Sequence, residues 1–383
     1  MDRTSIAFVV AIPITARSFL VEHFKYLKKE YDIHLIANFS GAEDMKCEFE
    51  ELGIICHNIP IRRKINIISD LKSLLALVRL LKVLRVKSVH SVTPKAGLLT
   101  AFSGWIAHVP HRIHIFTGQV WSTRKGLFRY FLKFLDMIIV RLDTDILVDG
   151  EGQRQFLIKE GVLTEKNSLV LANGSIAGVK LDRFIISDSI RHNERATLGI
   201  SDNKVVYIFL GRLNHDKGMD ELYSAFNQLV ETRPDAVLLL YGMDEDGYDK
   251  RIDRYPNIRR GDNYFFPGLT KQPYNALQAG DVFVLPTWRE GFGVSVLEAQ
   301  SLGLPFITSD TYGVVDASVN GVTGLRCKVG DVQSLKICME KYYDDPVMRK
   351  QHGHAGKKRV EEEFSNDVVS SSWVEFYHRI LAK

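Results

Sequence analysis

Short, largely apolar runs that alternate with helical patterns constrain this chain more than any other feature. In the first half, strand-like runs fall at residues 6–11, 33–37, 56–59, 89–92, 112–116, 145–148 and 168–171. Helical patterns separate them at 18–31, 44–52, 69–84, 95–106, 126–142 and 151–160. The second half repeats the grammar, with strands at 205–210, 237–241, 264–266, 282–285 and 306–308. A run such as Val282-Phe283-Val284-Leu285 lacks the in–out alternation of a sheet with one wet face. It reads as a strand covered on both sides. Strands alternating with helices argue for an α/β chain of doubly wound parallel sheets. A length of 383 residues is long for one core and suits two domains. Polar, Gly and Ser residues cluster between 173 and 202, where the domain boundary is expected.

Two strand–turn–helix segments carry chemistry. In the first, the strand at 282–285 leads through Pro286 into Trp288-Arg289-Glu290-Gly291-Phe292-Gly293-Val294, and a helix follows from Val294. Gly291 and Gly293 at the turn leave backbone N–H groups and a helix N-terminus beside whatever the turn faces, which suits an anion. Glu290 and Glu298 bracket that turn with seven residues between them. Carboxylates beside a phosphate-binding turn make sense as acceptors for the hydroxyls of a sugar or ribose. In the second segment, the strand at 205–210 runs into Gly211-Arg212-Leu213-Asn214-His215-Asp216-Lys217-Gly218 and then an amphipathic helix. Arg212, through its fork, and Lys217, as a point charge, can clamp a diphosphate. Each segment also has a plainer reading, as a solvated loop with surface charges.

The first segment resembles the E-x7-E motif of the retaining glycosyltransferases of family 4, and the second their Gly-Arg…Lys-Gly arrangement. The N-terminal stretches His90-Ser91-Val92-Thr93-Pro94-Lys95-Ala96-Gly97-Leu98-Leu99 and Ile113-His114-Ile115-Phe116-Thr117-Gly118-Gln119-Val120-Trp121 resemble members that build bacterial surface polysaccharides. The resemblance covers nearly the whole chain and implies a GT-B fold, two Rossmann-like domains facing a cleft. The expected division is residues 1–180 for an acceptor domain, 181–364 for a nucleotide-sugar domain, and 365–383 for a last helix crossing back to the first. The implied reaction is transfer of a sugar, with retention, from a nucleotide sugar (UDP-linked) to a lipid-diphosphate-linked saccharide in O-antigen or capsule assembly. Arg212 and Lys217 would bind the pyrophosphate with the turn Gly291, Phe292, Gly293 and Val294. Glu290 would orient the donor sugar, Glu298 the ribose, and Leu269 would lie where relatives hold the base. His114 either approaches the donor sugar, as the resemblance implies, or packs within its strand; His90 reads as structural. Thr15, after the first strand, could donate to a phosphate or an acceptor group. A sugar-nucleotide epimerase of the same fold and a non-catalytic polysaccharide- or membrane-binding module remain as alternatives.

No cofactor and no metal are expected. Asp143-Thr144-Asp145 is a D-x-D, but it precedes a strand in the other half and reads as a helix-end turn. The turn glycines lack the third member of G-x-G-x-x-G, which counts against a dinucleotide oxidoreductase. Cys47, Cys56, Cys327 and Cys338 show no metal or redox spacing and read as reduced thiols of a cytoplasmic protein. There is no run of 18 apolar residues, so no spanning helix is expected. Net charge is only +4, but residues 61 to 141 hold fifteen Lys/Arg against Asp70 and Asp136, or +13, leaving the remainder at −9. Arg62, Arg63, Lys64 and Lys72 precede or sit on one apolar helix, and Arg124, Lys125, Arg129 and Lys133 alternate with Phe128, Tyr130, Phe131 and Phe134. The expected partner is an anionic membrane surface, with the protein peripheral on the inner face of the cytoplasmic membrane. No nucleic-acid motif is present, and no nucleic acid is expected as partner.

Overall fold

Covered apolar runs form the centres of two parallel sheets in this computed structural model, which describes residues 3–62 and 66–382. Arg63 and Lys64, part of the expected basic face, lie outside the described residues. The first sheet comprises β1 (Thr4–Val9), β2 (Tyr31–Ala37), β3 (Ile55–Asn58), β4 (Ser88–Val92), β5 (His111–Phe116) and β6 (Asp145–Val148). Its strand order is β3-β2-β1-β4-β5-β6. The second comprises β7 (Val205–Leu210), β8 (Ala236–Tyr241), β9 (Tyr264–Gly268), β10 (Val282–Leu285), β11 (Phe306–Ser309) and β12 (Gly324–Cys327). Its order, β12-β11-β10-β7-β8-β9, repeats the same topology. Helices cover both faces of each sheet, which is why Ile6 to Val9, Val206 to Phe209 and Val282 to Val284 are all fully buried.

The chain divides into residues 1–178 with 366–383, and residues 179–365. The returning helix Asn366–Leu381 places Val369, Trp373, Phe376, Tyr377 and Ile380 in the core of the N-terminal unit, with Phe8, Phe24 and Ile33. An apolar stripe at helical spacing explains that docking.

Three expectations about elements change. The helix expected at 18–31 is two helices, Pro13–Phe19 and Val21–Leu27, separated at Leu20, whose φ of −111° leaves the helical range. The strand expected at 168–171 is a single bridge, Leu147 to Leu169. β12 was not foreseen: Gly324-Leu325-Arg326-Cys327 is short, lies at the sheet edge and carries no apolar run.

In an open parallel sheet, ligands bind beyond the carboxyl ends of the strands where the order reverses. In the C-terminal unit that point lies between β7 and β10, which pair directly through Tyr207 and Val282. The two motif loops follow those two strands.

Candidate functional site

Three loops build the site at the carboxyl edge of the second sheet. The loop after β7 begins at Gly211, and the loop after β8 runs beside it: Leu213 N–H donates to Met243 O at 2.8 Å, and Glu245 N–H to Leu213 O at 3.1 Å. The loop after β10 is strapped to the first. Trp288 N–H donates to Asp216 O at 2.8 Å, and the Arg289 guanidinium grips Asp216 Oδ2 at 2.9 and 2.7 Å. Gly218, at φ 72°, lies so close to Pro286 that a Cβ there would stand 1.9 Å from its carbonyl oxygen. Only glycine serves at that position.

Lys217 ends a short 3₁₀ turn capped by Asn214, whose side-chain oxygen accepts the Lys217 N–H at 3.2 Å. The Lys217 ammonium pairs with the Glu290 carboxylate. The cation expected at the diphosphate and the acid expected at the sugar are therefore brought into direct contact. Arg212 is drawn elsewhere. Its Nη1 donates to both carboxylate oxygens of Glu245, at 3.1 and 3.0 Å.

The helix Val294–Ser301 starts from Gly293 in the left-handed region, at φ 91°. The first N–H groups of this helix, those of Val294 and Ser295, have no partner inside it and present the positive end of its dipole. The Glu290 Cγ lies over this start, 3.7 Å from where a Gly293 Cβ would be. Glu298 is the fifth helical residue and half-buried. Burial pushes its carboxyl up to about 7. Leu269 follows Gly268 at the end of β9 and is 72% exposed.

Two expected site residues are packed instead. Phe292 is buried against Phe364, with ring centroids 5.4 Å apart, so only its backbone is left to the turn. His114 sits within β5 in the N-terminal unit, its Nδ1 2.8 Å from the Ser91 hydroxyl and its ring over Gly97. Burial lowers its pKa to about 3 and keeps it neutral. The side chain is packed within the strand. Thr15 lies in the first turn of the helix after β1, half-buried, with its N–H 3.1 Å from Ile12 O. His90 is buried between Phe8 and Trp373, with Nδ1 3.0 Å from the Tyr377 hydroxyl. Asp143 and Asp145 stand at the start of β6, the opposite end from the strand termini where ligands bind. Burial raises the Asp143 carboxyl well above the usual range.

Glu245, Asn214, Asp216 and Arg289 were not foreseen as site residues. The acidic run Asp244-Glu245-Asp246 beyond β8 was a readable signal, since it ends a central strand beside a loop rich in cations.

Two parallel sheets of this topology, with a cationic and acidic site at the switch point of the second, define an α/β enzyme of the GT-B class. A family model described as glycosyl transferases group 1 matches residues 190–359. The chain is 33% identical over 355 residues to the capsular polysaccharide biosynthesis glycosyltransferase CapM of Staphylococcus aureus, covering 92% of this chain and 91% of that one. It is 27% identical over 356 residues to the UDP-Gal:alpha-D-GlcNAc-diphosphoundecaprenol alpha-1,3-galactosyltransferase of Escherichia coli, covering 91% and 90%. The structure of Anabaena HepE in complex with UDP-glucose matches with a TM-score of 0.81 at 18% identity, covering 98% of this chain and 100% of that one. The chain belongs to the group 1 glycosyltransferases.

Proposed function

We propose that this glycosyltransferase moves a sugar, with retention, from a UDP-sugar to a lipid-diphosphate-linked saccharide during assembly of a bacterial capsule or O-antigen, and that it needs no metal. The observation that carries the reading is the pairing of Lys217 with Glu290 beside the open start of the helix Val294–Ser301. The diphosphate of a donor would compete for the Lys217 ammonium, freeing Glu290 to accept hydroxyls of the sugar. As the glycosidic bond breaks, negative charge grows on the diphosphate. Lys217, Arg212 and the helix N-terminus stabilise it without reorganisation. Glu298 accepts from the ribose, and Leu269 borders the base.

The lipid-linked acceptor and the polysaccharide role rest on the relatives: one is a capsular polysaccharide enzyme, and another acts on a diphosphoundecaprenol substrate. The UDP donor rests on that second relative and on the UDP-glucose complex of the structural neighbour. A peripheral position on the inner face of the cytoplasmic membrane follows from such an acceptor and from the +13 charge of residues 61 to 141.

The test is donor turnover with and without a polyprenyl-diphosphate saccharide, combined with thermal shift by UDP- and GDP-sugars, since a bound ligand raises stability by mass action. Acceptor-dependent release of UDP is expected. Epimerised donor without acceptor, or no turnover with any donor, would replace the proposed reaction with one of its two alternatives.

A further inference from the structure

We propose that Glu245, itself held by Asn214, is a positioning residue that aims Arg212 at the donor's diphosphate. The proposal rests on the reading of Arg212 as a diphosphate-binding cation. Arg212 is half exposed on a long, flexible stem, so a fixed direction for its fork has to be imposed from outside. Glu245 imposes it on one nitrogen alone. Both carboxylate oxygens meet Nη1, and among the described residues Nε and Nη2 have no recorded partner. Those two nitrogens share one edge of the guanidinium, the edge that can meet two phosphate oxygens at once.

The carboxylate is fixed in turn. Its backbone N–H is bonded to Leu213 O, and Asn214 Nδ2 donates to its Oε2 at 2.8 Å. Asn214 spends its other end on the Lys217 N–H. One amide side chain thus sets the backbone of one cation and, through Glu245, the head of the other. A carboxylate that merely occupied the phosphate position would have to swing away as donor binds. This one is held by a backbone bond, an amide and a guanidinium, and it leaves the useful edge of Arg212 open.

The test compares Glu245→Ala, Glu245→Gln, Arg212→Ala and the double variant Arg212→Ala/Glu245→Ala. Affinity for UDP is read by calorimetry, and kcat and KM for the donor by steady-state kinetics. Circular dichroism melting checks that each variant folds. Glu245→Ala is expected to weaken UDP binding and lower kcat/KM on the order of tenfold, a typical coupling between contacting groups. Glu245→Gln, which keeps an oxygen toward Nη1, recovers part of the loss. In the Arg212→Ala background the Glu245→Ala change costs much less than in wild type, because the positioning acts through Arg212; the remainder reports the loss of the bond from Asn214. Unchanged or tighter UDP binding in Glu245→Ala, with Arg212→Ala impaired, overturns the positioning role and leaves the donor site standing. An equal loss in both backgrounds also overturns it. Undiminished UDP binding and turnover in Arg212→Ala removes the donor-site reading and this proposal together.

Discussion

Lys217 has two duties that one substitution separates from the fold. Its ammonium holds Glu290, and in the proposed reaction it also stabilises the departing diphosphate. Lys217→Ala is expected to lower turnover by two orders of magnitude or more at saturating donor, from ~2.7–4 kcal/mol per group aimed at developing charge. Turnover near wild type in a folded variant would take Lys217 out of the site. In the proposed reaction these cations take the place of a metal, so activity is expected to survive EDTA; loss that Mn²⁺ or Mg²⁺ restores contradicts the mechanism. Glu298 adds a pH dependence. Burial raises its carboxyl from 4.5 to about 7, so some of it is protonated near neutrality. In the proposed complex, ribose hydroxyls donating to it favour the carboxylate, so nucleotide binding is expected to expel a proton. Affinity for a UDP-sugar, whose diphosphate does not titrate in this range, is therefore expected to rise with pH up to about 7 and then level off, and the slope disappears in Glu298→Gln. Calorimetry in two buffers of different ionisation enthalpy reads the released proton, and a pH-independent affinity rules out this role. The close approach at Gly218 gives a prediction about folding: Gly218→Ala meets both a left-handed φ and the Pro286 carbonyl. It should lower stability by more than the ~1 kcal/mol of a simple conformational mismatch, measured by urea unfolding.

At the scale of elements, His23 joins the two ends of the N-terminal unit. Its Nε2 meets Ile176 O at 2.7 Å, on the segment leaving the unit, and its Nδ1 meets the Ser370 hydroxyl at 3.1 Å, on the helix that returns. Its ring stacks on Trp373 at 4.3 Å. Burial lowers its pKa from 6.5 to about 4. The unfolded chain therefore takes the proton first, and stability falls as pH drops from about 6.5 toward 4, with no further loss from this group below that. The size is ~3 kcal/mol at most, from 1.36 kcal/mol per pKa unit. His23→Asn is expected to be less stable at neutral pH and to show a shallower acid slope in denaturant titrations. An unchanged slope would remove His23 as its source. This junction also marks what the sequence could and could not convey. Trp373, Phe376 and Tyr377 announced a helix with an apolar stripe, and the covered runs at 205–210 and 282–285 announced the central strands to the residue. The packing of His114 was not legible, because periodicity locates a strand without saying which of its side chains lie under a helix. Glu245 was missed because its partner, Arg212, lies 33 positions away and meets it only where two loops run side by side.

At the scale of the molecule, the charge asymmetry and the exposed apolar surface fall on the same stretch of chain, but not on the same side chains. Arg129 and Lys133 are turned onto the Trp121 ring and pair with Glu160 at 2.8 and 2.9 Å. Lys95 pairs with Asp70 at 2.7 Å. These three cations are engaged within the protein. The helix Gly126–Leu142 presents a run of apolar side chains to solvent: Leu127, Phe128, Tyr130, Phe131 and Phe134 are all at least half exposed. The helix Ile67–Leu84 likewise exposes Ile67, Ile68, Leu71 and Leu75 near its start. Lys72, Arg124 and Lys125 stand exposed beside these faces. Both helices begin on the carboxyl side of the first sheet, the side from which its ligands would be approached. In the proposed membrane contact, expected from these cations and the apolar residues among them, the two kinds of side chain would act separately. Cations supply attraction that weakens as salt shortens the Debye length from ~10 Å at 0.1 M to ~3 Å at 1 M. Aromatic side chains supply burial at the headgroup boundary, which salt does not screen. Lys72, Arg124 and Lys125 changed to Ser should reduce the salt-sensitive part of binding to anionic vesicles. Phe128 and Phe131 changed to Ser should reduce the part that persists at high salt. Donor binding should be unaffected in both variants, because its residues belong to the other unit. Co-sedimentation with anionic and neutral vesicles at the two salt levels measures each part. Equal binding to both vesicle types, or binding to neither, rejects the anionic surface as partner and points to an acceptor met in solution.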